Sequence, residues 1–288
     1  MKHHIHWFSL YFSSTFEKSG MKFIFSGMLC FCLISVFGLS AQTYVPPRPL
    51  SDHNLIKSFL STHLVYPTEE YGQKTKGTVT LSFLIKSDGN IKKINVKEGI
   101  TESLNNEAIR LLRKIIWLPA SLNGVAVDAE HEFSVKFDPR KYEKVRHKNL
   151  LQPACHLPAS ADTSSVIYSF SKIETSPEPV IEGGIRNLAS YMKENLRYPE
   201  AAYRLNLSGI VTLGFVVEPD SSITNIHVIK AVGGGCEQEA IRIVQEICWK
   251  PATINSMAVR SIYTFDIRFS LDNNNRTNHI PNRQSSGI

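Results

Sequence analysis

At the start of the stretch 53–138, apolar residues recur at the three- or four-residue spacing of a helix. One helix is indicated by a run of apolar positions three or four residues apart: Leu55, Ile56, Phe59, Leu60 and Leu64. Ser51 and Asp52 precede it and are good N-caps. Tyr66-Pro67 ends it, because the residue before a proline is pushed out of the helical region. A further short helix is expected from Pro67 toward Tyr71.

A period of two then predicts a β-hairpin. Apolar and polar residues alternate after Gly77, with Val79, Leu81, Phe83 and Ile85 on one face. Ser87 to Asn90 form a tight turn, and the returning strand carries Ile91, Ile94 and Val96.

A second main helix and a last strand follow the hairpin. The helix has one apolar face, made of Leu104, Ala108, Leu111, Leu112 and Ile115. Its charged residues are expected to point to solvent: Glu107, Arg110, Arg113 and Lys114. Trp117 to Pro119 ends the helix, Asn123-Gly124 makes a turn, and the last strand alternates through Phe133, Val135 and Phe137.

The same pattern occurs again 132 residues later. Residues 54–137 align without a gap with residues 186–269, and 27 of the 84 positions are identical. The identical residues are typical structural ones: Tyr66-Pro67 and Tyr198-Pro199, Gly77 and Gly209, Asp88 and Asp220, Trp117 and Trp249, Pro119 and Pro251. A period this long indicates two tandem domains rather than a solenoid, whose repeats run roughly 20 to 50 residues.

The second copy is expected to repeat the elements of the first. Its hairpin is predicted at Ile210–Val217 and Ile223–Ile229, and its last strand at Ile262–Phe269. Its helix is predicted to bury Ala240, Ile241, Val244, Ile247 and Cys248.

The element order predicts an α+β chain of two tandem small domains. Each is a three-stranded antiparallel sheet with two or three helices on one face. We assign residues 53–138 and 178–271 to the two copies, 42–52 to an extended proline-rich connector, 139–177 to a linker and 272–288 to a disordered polar tail. Residues 138–165 are expected to be irregular, whereas Val166 to Ile173 alternates like a strand that pairs with the edge of the second domain.

An apolar segment precedes the two copies. Residues 21–41 open with Met21-Lys22-Phe23, carry no charge after Lys22 and end in small residues, which is typical of a secretory signal peptide cleaved after Ala41. The alternative is an uncleaved anchor in the inner membrane, since about 19 apolar residues just span a bilayer. Either way we expect export into the periplasm of a Gram-negative cell. Residues 1–20 do not fit in front of such a segment, so we expect translation to start at Met21 and the early histidines to have no metal-binding role.

Composition excludes several functional classes. The net charge of +6 includes +2 from residues before position 42, and the remaining +4 is spread along the chain, so nucleic-acid binding is not expected. The ten histidines show no metal-ligand spacing. Gly233-Gly-Gly235 lacks the following Gly-Lys-Ser/Thr of a phosphate loop and is interpreted as a turn. We therefore expect no catalytic residues, no metal and no cofactor, and a protein that is not an enzyme.

Five cysteines give no clear disulfide framework. Cys30 and Cys32 lie in the apolar segment. Cys236 and Cys248 are expected near opposite ends of one helix, about 18 Å apart and beyond disulfide reach. Cys248 is interpreted as a small core residue. A bridge from Cys155 to another chain stays an alternative.

The second copy closely resembles the C-terminal domain of TonB-type energy transducers. The resemblance rests on the motif positions Gly183, Gly184, Tyr198, Pro199, Gly209, Asp220, Trp249 and Pro251. The first copy has Ser51-Asp52 where the second has Gly183-Gly184 and resembles a diverged member. Most of these residues are interpreted as structural, and Glu239 and Arg242 as a surface ion pair worth under about 1 kcal/mol.

The resemblance implies a role at the outer membrane. Family members bind a short extended segment of a TonB-dependent transporter by strand addition, and pass on force from a proton-driven inner-membrane motor. A three-stranded sheet has open edges that can accept such a segment through main-chain bonds. The family geometry implies the last strand as the receiving edge, with Ile262, Tyr263, Phe265, Ile267 and Arg268 as its binding positions.

Two departures from the family leave two hypotheses open. Transducers carry a functional histidine in their membrane anchor and a long spacer, whereas Phe23 to Ala41 contains no histidine and about a dozen residues, about 40 Å at most, separate it from the first domain. The chain is therefore either an anchored transducer that serves TonB-dependent transporters, or a soluble periplasmic adaptor. The adaptor would use the same edge for another envelope protein or for a homodimer.

Overall fold

A computed structural model describes residues 42–150 and 160–271, and for residues 148–150 only the backbone. The elements up to the end of the first copy are β1 (Tyr44–Val45), β2 (Arg48–Pro49), α1 (His53–His63), α2 (Thr68–Gly72), β3 (Gly77–Ile85), β4 (Ile91–Glu98), α3 (Glu102–Lys114), β5 (Trp117–Leu118), β6 (Ala120–Leu122), β7 (Val125–Val127) and β8 (Ala129–Phe137). The helix α4 (Pro139–Leu150) follows.

The second copy has the same order of main elements. They are β9 (Glu178–Val180), α5 (Leu188–Asn195), α6 (Glu200–Arg204), β10 (Gly209–Val217), β11 (Ile223–Lys230), α7 (Cys236–Glu246), β12 (Cys248–Lys250), β13 (Ala252–Ile254), β14 (Met257–Val259) and β15 (Ser261–Phe269). Single 3₁₀ turns lie at Phe170–Lys172 and Ile185–Asn187.

Each copy has a three-stranded antiparallel sheet with the hairpin's first strand in the middle. The orders are β4-β3-β8 and β11-β10-β15. The central and last strands pair in the same register in both copies, from Gly77 opposite Phe137 in the first and from Gly209 opposite Phe269 in the second. The predicted α+β fold with two tandem copies is confirmed.

The core of each copy lies between one face of the sheet and the main helix. In the first copy the alternating residues of β3 are at most 2% exposed, and Leu104, Ala108, Leu111 and Leu112 of α3 are fully buried. Burying a leucine of this kind stabilises the fold by roughly 1.5–3 kcal/mol. The cap predicted for α1 is present, since Asp52 Oδ1 accepts a hydrogen bond from the amide of Leu55 at 2.9 Å.

Three predictions about the connecting segments need correction. The proline-rich residues 42–52 are not only a connector, because β1 pairs with β6 and β2 with β5. Residues expected to be irregular form α4, whose Tyr142 ring contacts Tyr66 and Tyr71. In the stretch Val166 to Ile173 only Tyr168 pairs with the second copy, and a 3₁₀ turn follows it.

The prediction for Cys248 is wrong. The helix α7 ends at Glu246, and Cys248 lies in β12, where it is disulfide-bonded. The apolar pattern had extended the predicted helix by two residues beyond its observed end. Cys236 is a free, buried thiol, and burial raises its pKa to about 11.

Several predictions lie outside the described residues. These are the signal or anchor segment 21–41, the extension 1–20 with its histidines, Cys155, and the tail 272–288. Among the helices that the structure does describe, none is long and apolar enough to cross a membrane.

The two copies contact each other within one unit that begins at Gln42. Leu55 of α1 packs against the core of the second copy. Asn225 of β11 accepts a hydrogen bond from the amide of Ile116 at 2.7 Å, and donates one to the carbonyl of Lys114 at 2.8 Å. The carbonyl end of α3 is thus satisfied by the second copy.

Candidate functional site

The predicted receiving edge, the outer edge of β15, is partly occupied by the chain itself. Residues 160–168, which we call the linker segment, lie beside β14 and the start of β15. Tyr168 donates its amide hydrogen to the carbonyl of Arg260 at 2.8 Å and accepts from the amide of Ile262. Within residues 42–150 and 160–271, no strand pairs with this edge beyond Ile262.

The open part of this edge has a defined set of outward main-chain groups. The amide of Ile262 points away from β10, toward Tyr168. Because a strand alternates with a period of two, the main-chain groups of Thr264, Asp266 and Arg268 point the same way. These three residues can therefore exchange hydrogen bonds with an added strand, whereas the amide of Tyr263 faces β10.

The side chains of the five predicted binding residues divide between the two faces of the sheet. Ile262 is 50% exposed and Arg268 is exposed on the open face. Phe265 and Ile267 are buried in the core, at 7% and 2% exposure. Tyr263 is half-buried against Trp249 and Phe215, and burial raises its pKa. Of the five, Ile262 and Arg268 have side chains that are exposed along this edge.

The motif residues mostly hold the fold, as their contacts indicate. The hydroxyl of Tyr198 donates to the carbonyl of Leu207, and Tyr66 makes the matching bond to Thr75 in the first copy. Trp249 is 1% exposed and donates from Nε1 to the carbonyl of Val244 at 2.9 Å. Asp220 accepts from the amide of Ser222 in the hairpin turn.

The remaining glycine and proline positions sit at turns and element ends. Gly183 and Gly184 both have positive φ, at 79° and 74°, ahead of the 3₁₀ turn, where a side chain would be strained. Pro199 precedes α6 as its N-cap, Gly209 opens β10, and Pro251 is buried between β12 and β13.

The interpretation of Glu239 and Arg242 as a surface ion pair needs correction. The Glu239 carboxylate is 10% exposed and accepts from the amide of Arg197 at 2.6 Å, while Arg242 donates to the carbonyl of Asn195 at 2.7 Å. Glu107 and Arg110 make the same contacts in the first copy, with Val65 and His63. The pair therefore binds the main chain between α5 and α6, and Glu107 does not point to solvent as predicted.

The glycine run at 233–235 is filled by a side chain of the protein. All three glycines have positive φ, and Gly235 caps α7. Glu237 Oε1 accepts from the amides of Val232 and Gly233 at 2.6 and 2.5 Å. A carboxylate thus occupies the place that an anion would take. In the part of the chain that the structure describes, no group of three or more His, Cys, Asp or Glu residues could hold a metal ion.

The last strand of the first copy, β8, has the same register and a more open edge. By equivalence with Ile262, Thr264, Asp266 and Arg268, its outward main-chain groups belong to Glu130, Glu132, Ser134 and Lys136. Among the described residues no segment pairs with this edge. The sequence analysis named a receiving edge only in the second copy.

These features define a class of protein: paired small α+β domains whose last strands leave main-chain groups free for an extended segment. The model of the Gram-negative bacterial TonB protein C-terminal family matches residues 62–139 and 194–271, so the chain belongs to this family and carries its domain twice. It is a family of protein-interaction domains rather than of enzymes. The solution structure of the TonB C-terminal domain from Helicobacter pylori is similar to part of this chain, at 18% identity and a TM-score of 0.23 over 30% of this chain and 78% of that one. A comparison with curated proteins gave no match.

Proposed function

We propose that this chain is a TonB-like protein of the cell envelope that binds an extended segment of an outer-membrane TonB-dependent transporter by strand addition at β15. The observation that carries the proposal is the row of outward main-chain groups at Thr264, Asp266 and Arg268, which no described strand occupies. Family membership supports the kind of partner. Main-chain pairing gives affinity in this mode, and the side chains beside it give specificity.

A pair of substitutions at Asp266 tests the proposal in the full chain. Asp266→Pro removes an outward amide without removing a bond to β10, and proline is tolerated on an edge of this kind. We expect it to weaken binding of a labelled transporter segment of about 15 residues roughly tenfold, through one lost hydrogen bond and the clash of the ring. Asp266→Ala keeps the amide and is the matched control, with near-unchanged binding. Equal affinity of the folded Asp266→Pro chain and the unchanged chain, measured by fluorescence anisotropy, would show that β15 is not the receiving edge.

The proposal extends to energy transduction only if the chain stays in the inner membrane. The soluble adaptor is the alternative, in which the same edge binds another envelope protein or a second copy. Intact mass and the N-terminal residue of the protein from its native cells separate the two. A mature chain that starts at Gln42 would contradict direct transmission of force, whereas an uncleaved chain in the membrane fraction would support it.

A further inference from the structure

A cavity of about 810 Å³ lies between the two copies. Helices α1 and α3 of the first copy line one side, and the hairpin turn at 220–222 and strand β11 of the second copy line the other. Cavities that bind small molecules typically have volumes of about 300–1,000 Å³. The cavity is therefore large enough for a small molecule, and both copies of the domain are needed to form it.

His63 lines this cavity and has a buried nitrogen atom without a partner. Its Nδ1 atom lies 3.2 Å from the carbonyl oxygen of Phe59, which can only accept, so Nδ1 carries the proton of the neutral ring. Burial and the nearby Lys114 cation lower the pKa of His63, so the ring is neutral at pH 7 and Nε2 can only accept. Nε2 is buried and has no hydrogen-bond partner in the part of the chain that the structure describes. Because buried polar groups are normally paired, Nε2 requires a donor from elsewhere.

Two charged groups near His63 can also bind a ligand. The Lys114 Nζ atom lies 3.4 Å from Glu218 Oε2 and 3.7 Å from Asp220 Oδ2, and both distances exceed the roughly 2.7–3.2 Å of a normal N–H···O bond. Asp220 binds the amide of Ser222 through its other oxygen, Oδ1. The ammonium group of Lys114 can thus donate to a ligand, and Asp220 Oδ2 can accept from one. We call His63, Lys114 and Asp220 the polar end of the cavity.

Apolar side chains lie next to the polar end. The ring of Phe59 is tilted against the ring of His63, with 4.9 Å between their centroids. Further apolar side chains line the cavity: Leu55, Ile223 and Ile247. A ligand that fits would therefore have a polar group at one end and an apolar body.

The polar end favours a neutral group with hydroxyls over a charged one. A carboxylate would accept from Lys114, but it carries no proton for His63 Nε2 and is repelled by Asp220. An ammonium group would donate to Nε2 and Asp220, but Lys114 repels it. Two neighbouring hydroxyls can donate to Nε2 and Asp220 while they accept from Lys114. Arg110 and Glu218 do not change this choice, because each has an oppositely charged partner.

We propose that the cavity between the copies binds a small neutral molecule with two neighbouring hydroxyl groups at one end of an apolar body. A glycerol unit and a sugar ring, each with an apolar substituent, both have this chemistry. The site uses no main-chain group of β15, so the inference does not depend on the proposed function.

The first test compares three ligands that share a phenoxy body, with the full chain at neutral pH. Glycerol monophenyl ether carries the two hydroxyls, whereas phenoxypropanoate carries a carboxylate and phenoxypropylamine an ammonium group. We expect the diol to bind at least about ten times more tightly than either charged ligand in an NMR titration, because it meets no like charge and pairs every group of the polar end. Phenyl glucoside then distinguishes the two sources. Binding at least as tight as that of the glycerol ether indicates a sugar ring, and weaker binding indicates a glycerol unit.

A direct measurement on the unsubstituted chain shows whether His63 Nε2 is the acceptor. The nitrogen chemical shift of an imidazole changes when its lone pair accepts a hydrogen bond. We therefore expect the ¹⁵N resonance of His63 Nε2 to move in step with binding of glycerol monophenyl ether. Its absence from the spectrum of His63→Asn assigns the resonance.

Two histidine variants form a matched pair. His63→Asn introduces the residue that the second copy has at this position, Asn195, and should weaken the diol roughly fivefold through one lost hydrogen bond. His131→Asn is the control, since burial lowers the pKa of His131 too, but its ring packs against Trp117 and is not among the described side chains that line the cavity. Binding should be unchanged in this control, and an equal loss in both variants would contradict the assigned role of His63.

Two turn variants form a second pair. Asp220→Asn replaces the acceptor Oδ2 with an amide donor and should also weaken the diol roughly fivefold. Asp88 has the same place in the hairpin turn of the first copy, where it accepts from the amide of Asn90 at 2.9 Å. Asp88→Asn should leave binding unchanged.

The remaining outcomes decide against the site or separate it from the proposed function. Equal binding of the three phenoxy ligands, or no binding of the diol, would mean that water alone fills the cavity and would overturn the inference. An unchanged Nε2 resonance at saturating diol would overturn it as well. Asp266→Pro should bind the diol as the unsubstituted chain does, so failure at β15 and failure at the cavity appear in separate measurements.

Discussion

Each copy has an ion pair at the same two positions of the domain. The cation and the anion exchange places between the copies, and the two pairs are buried to very different extents. In the first copy Lys86 pairs with Asp128, and the side chains are 42% and 38% exposed. In the second copy the equivalent residues are Glu218 and Arg260, at 0% and 3%. One backbone position therefore carries a solvated ion pair in one copy and a buried one in the other, because only the second copy is covered by other parts of the chain.

Arg260 is the point where three parts of the molecule meet. Its guanidinium donates to both carboxylate oxygens of Glu218 at 3.0 Å, to the carbonyl of Ser165 at 2.8 Å and to the carbonyl of Lys114 at 3.0 Å. It thus binds the second copy, the linker segment and the end of α3 together. Its planar fork of donors suits this task better than a lysine would.

The largest expected effect is that of Arg260→Ala. This change leaves the Glu218 carboxylate buried without its main partner, and removal of one member of a buried pair typically costs 3–5 kcal/mol. We expect a loss of about 3 kcal/mol in the free energy of unfolding, measured by urea denaturation, since Thr224 and Lys114 still contact Glu218. Asp128→Ala, the equivalent change in the first copy, should cost less than about 1 kcal/mol.

A double substitution sharpens this comparison. Glu218→Met combined with Arg260→Met removes both charges and should be less destabilising than Arg260→Ala alone, because no unpaired charge stays buried. A loss in Arg260→Ala no larger than that in Asp128→Ala would contradict the difference in burial on which the comparison rests.

An intermediate effect is expected at the contact between the copies. Asn225→Ala leaves the amide of Ile116 without its partner, and an unsatisfied buried group costs about 1–3 kcal/mol. The carbonyl of Lys114 loses one of its two donors and keeps Arg260. Lys93 is the equivalent residue of the first copy and has nearly the same positive φ, 51° against 54°. Lys93→Ala is therefore the matched control for the backbone and should change the free energy of unfolding by under about 0.5 kcal/mol. Similar losses in the two variants would show that Asn225 acts through its backbone conformation alone.

The fold could be predicted from the sequence because the two-residue period of the strands and the helical period are both strong. The alternation through Val79, Leu81, Phe83 and Ile85 and the apolar face of α3 correspond to buried residues. Because the two copies align without a gap, their sheets have the same register, from Gly77 opposite Phe137 and from Gly209 opposite Phe269. The last residues of a helix were less predictable, because apolar Ile247 and Cys248 continue the pattern after α7 has ended. The disulfide bond of Cys248 is a non-local contact, which a local pattern does not show.

Contacts between distant segments were the part that could not be predicted. Nothing in the local pattern of residues 160–168 shows that they cover β14, or that Arg260 is buried while Asp128 is exposed. Burial of a charged residue depends on what packs over it, and that is set by non-local geometry. The last strand of each copy was accordingly predicted, but how far the rest of the chain covers its outer edge became visible only in the structure.

The smallest expected effect is a pH dependence that one copy has and the other lacks. His63 and Asn195 are equivalent, and each side chain contacts a carbonyl four residues earlier, of Phe59 and Tyr191. The Nε2 atom of His63 is buried without a hydrogen-bond partner among the described residues. Burial, and then the nearby Lys114 cation, lower the pKa of His63 below 6.5, while Asp220 and Glu218 oppose this shift.

The sign of the effect follows from this lowered pKa. Above pH 6.5 His63 is neutral in both states, whereas below pH 6.5 the unfolded chain binds a proton that the folded chain binds less readily. The contribution to stability is therefore fully present above pH 6.5 and is lost as the pH falls toward the lowered value. The substitution His63→Asn gives the first copy the side-chain amide that Asn195 has in the second. We expect it to reduce the fall in the midpoint of thermal unfolding between pH 7.5 and 5.5. Carboxylates contribute to that fall equally in both proteins, so the difference between them isolates His63. An identical decline in the two chains would mean that His63 is hydrated and titrates as it does in the unfolded state.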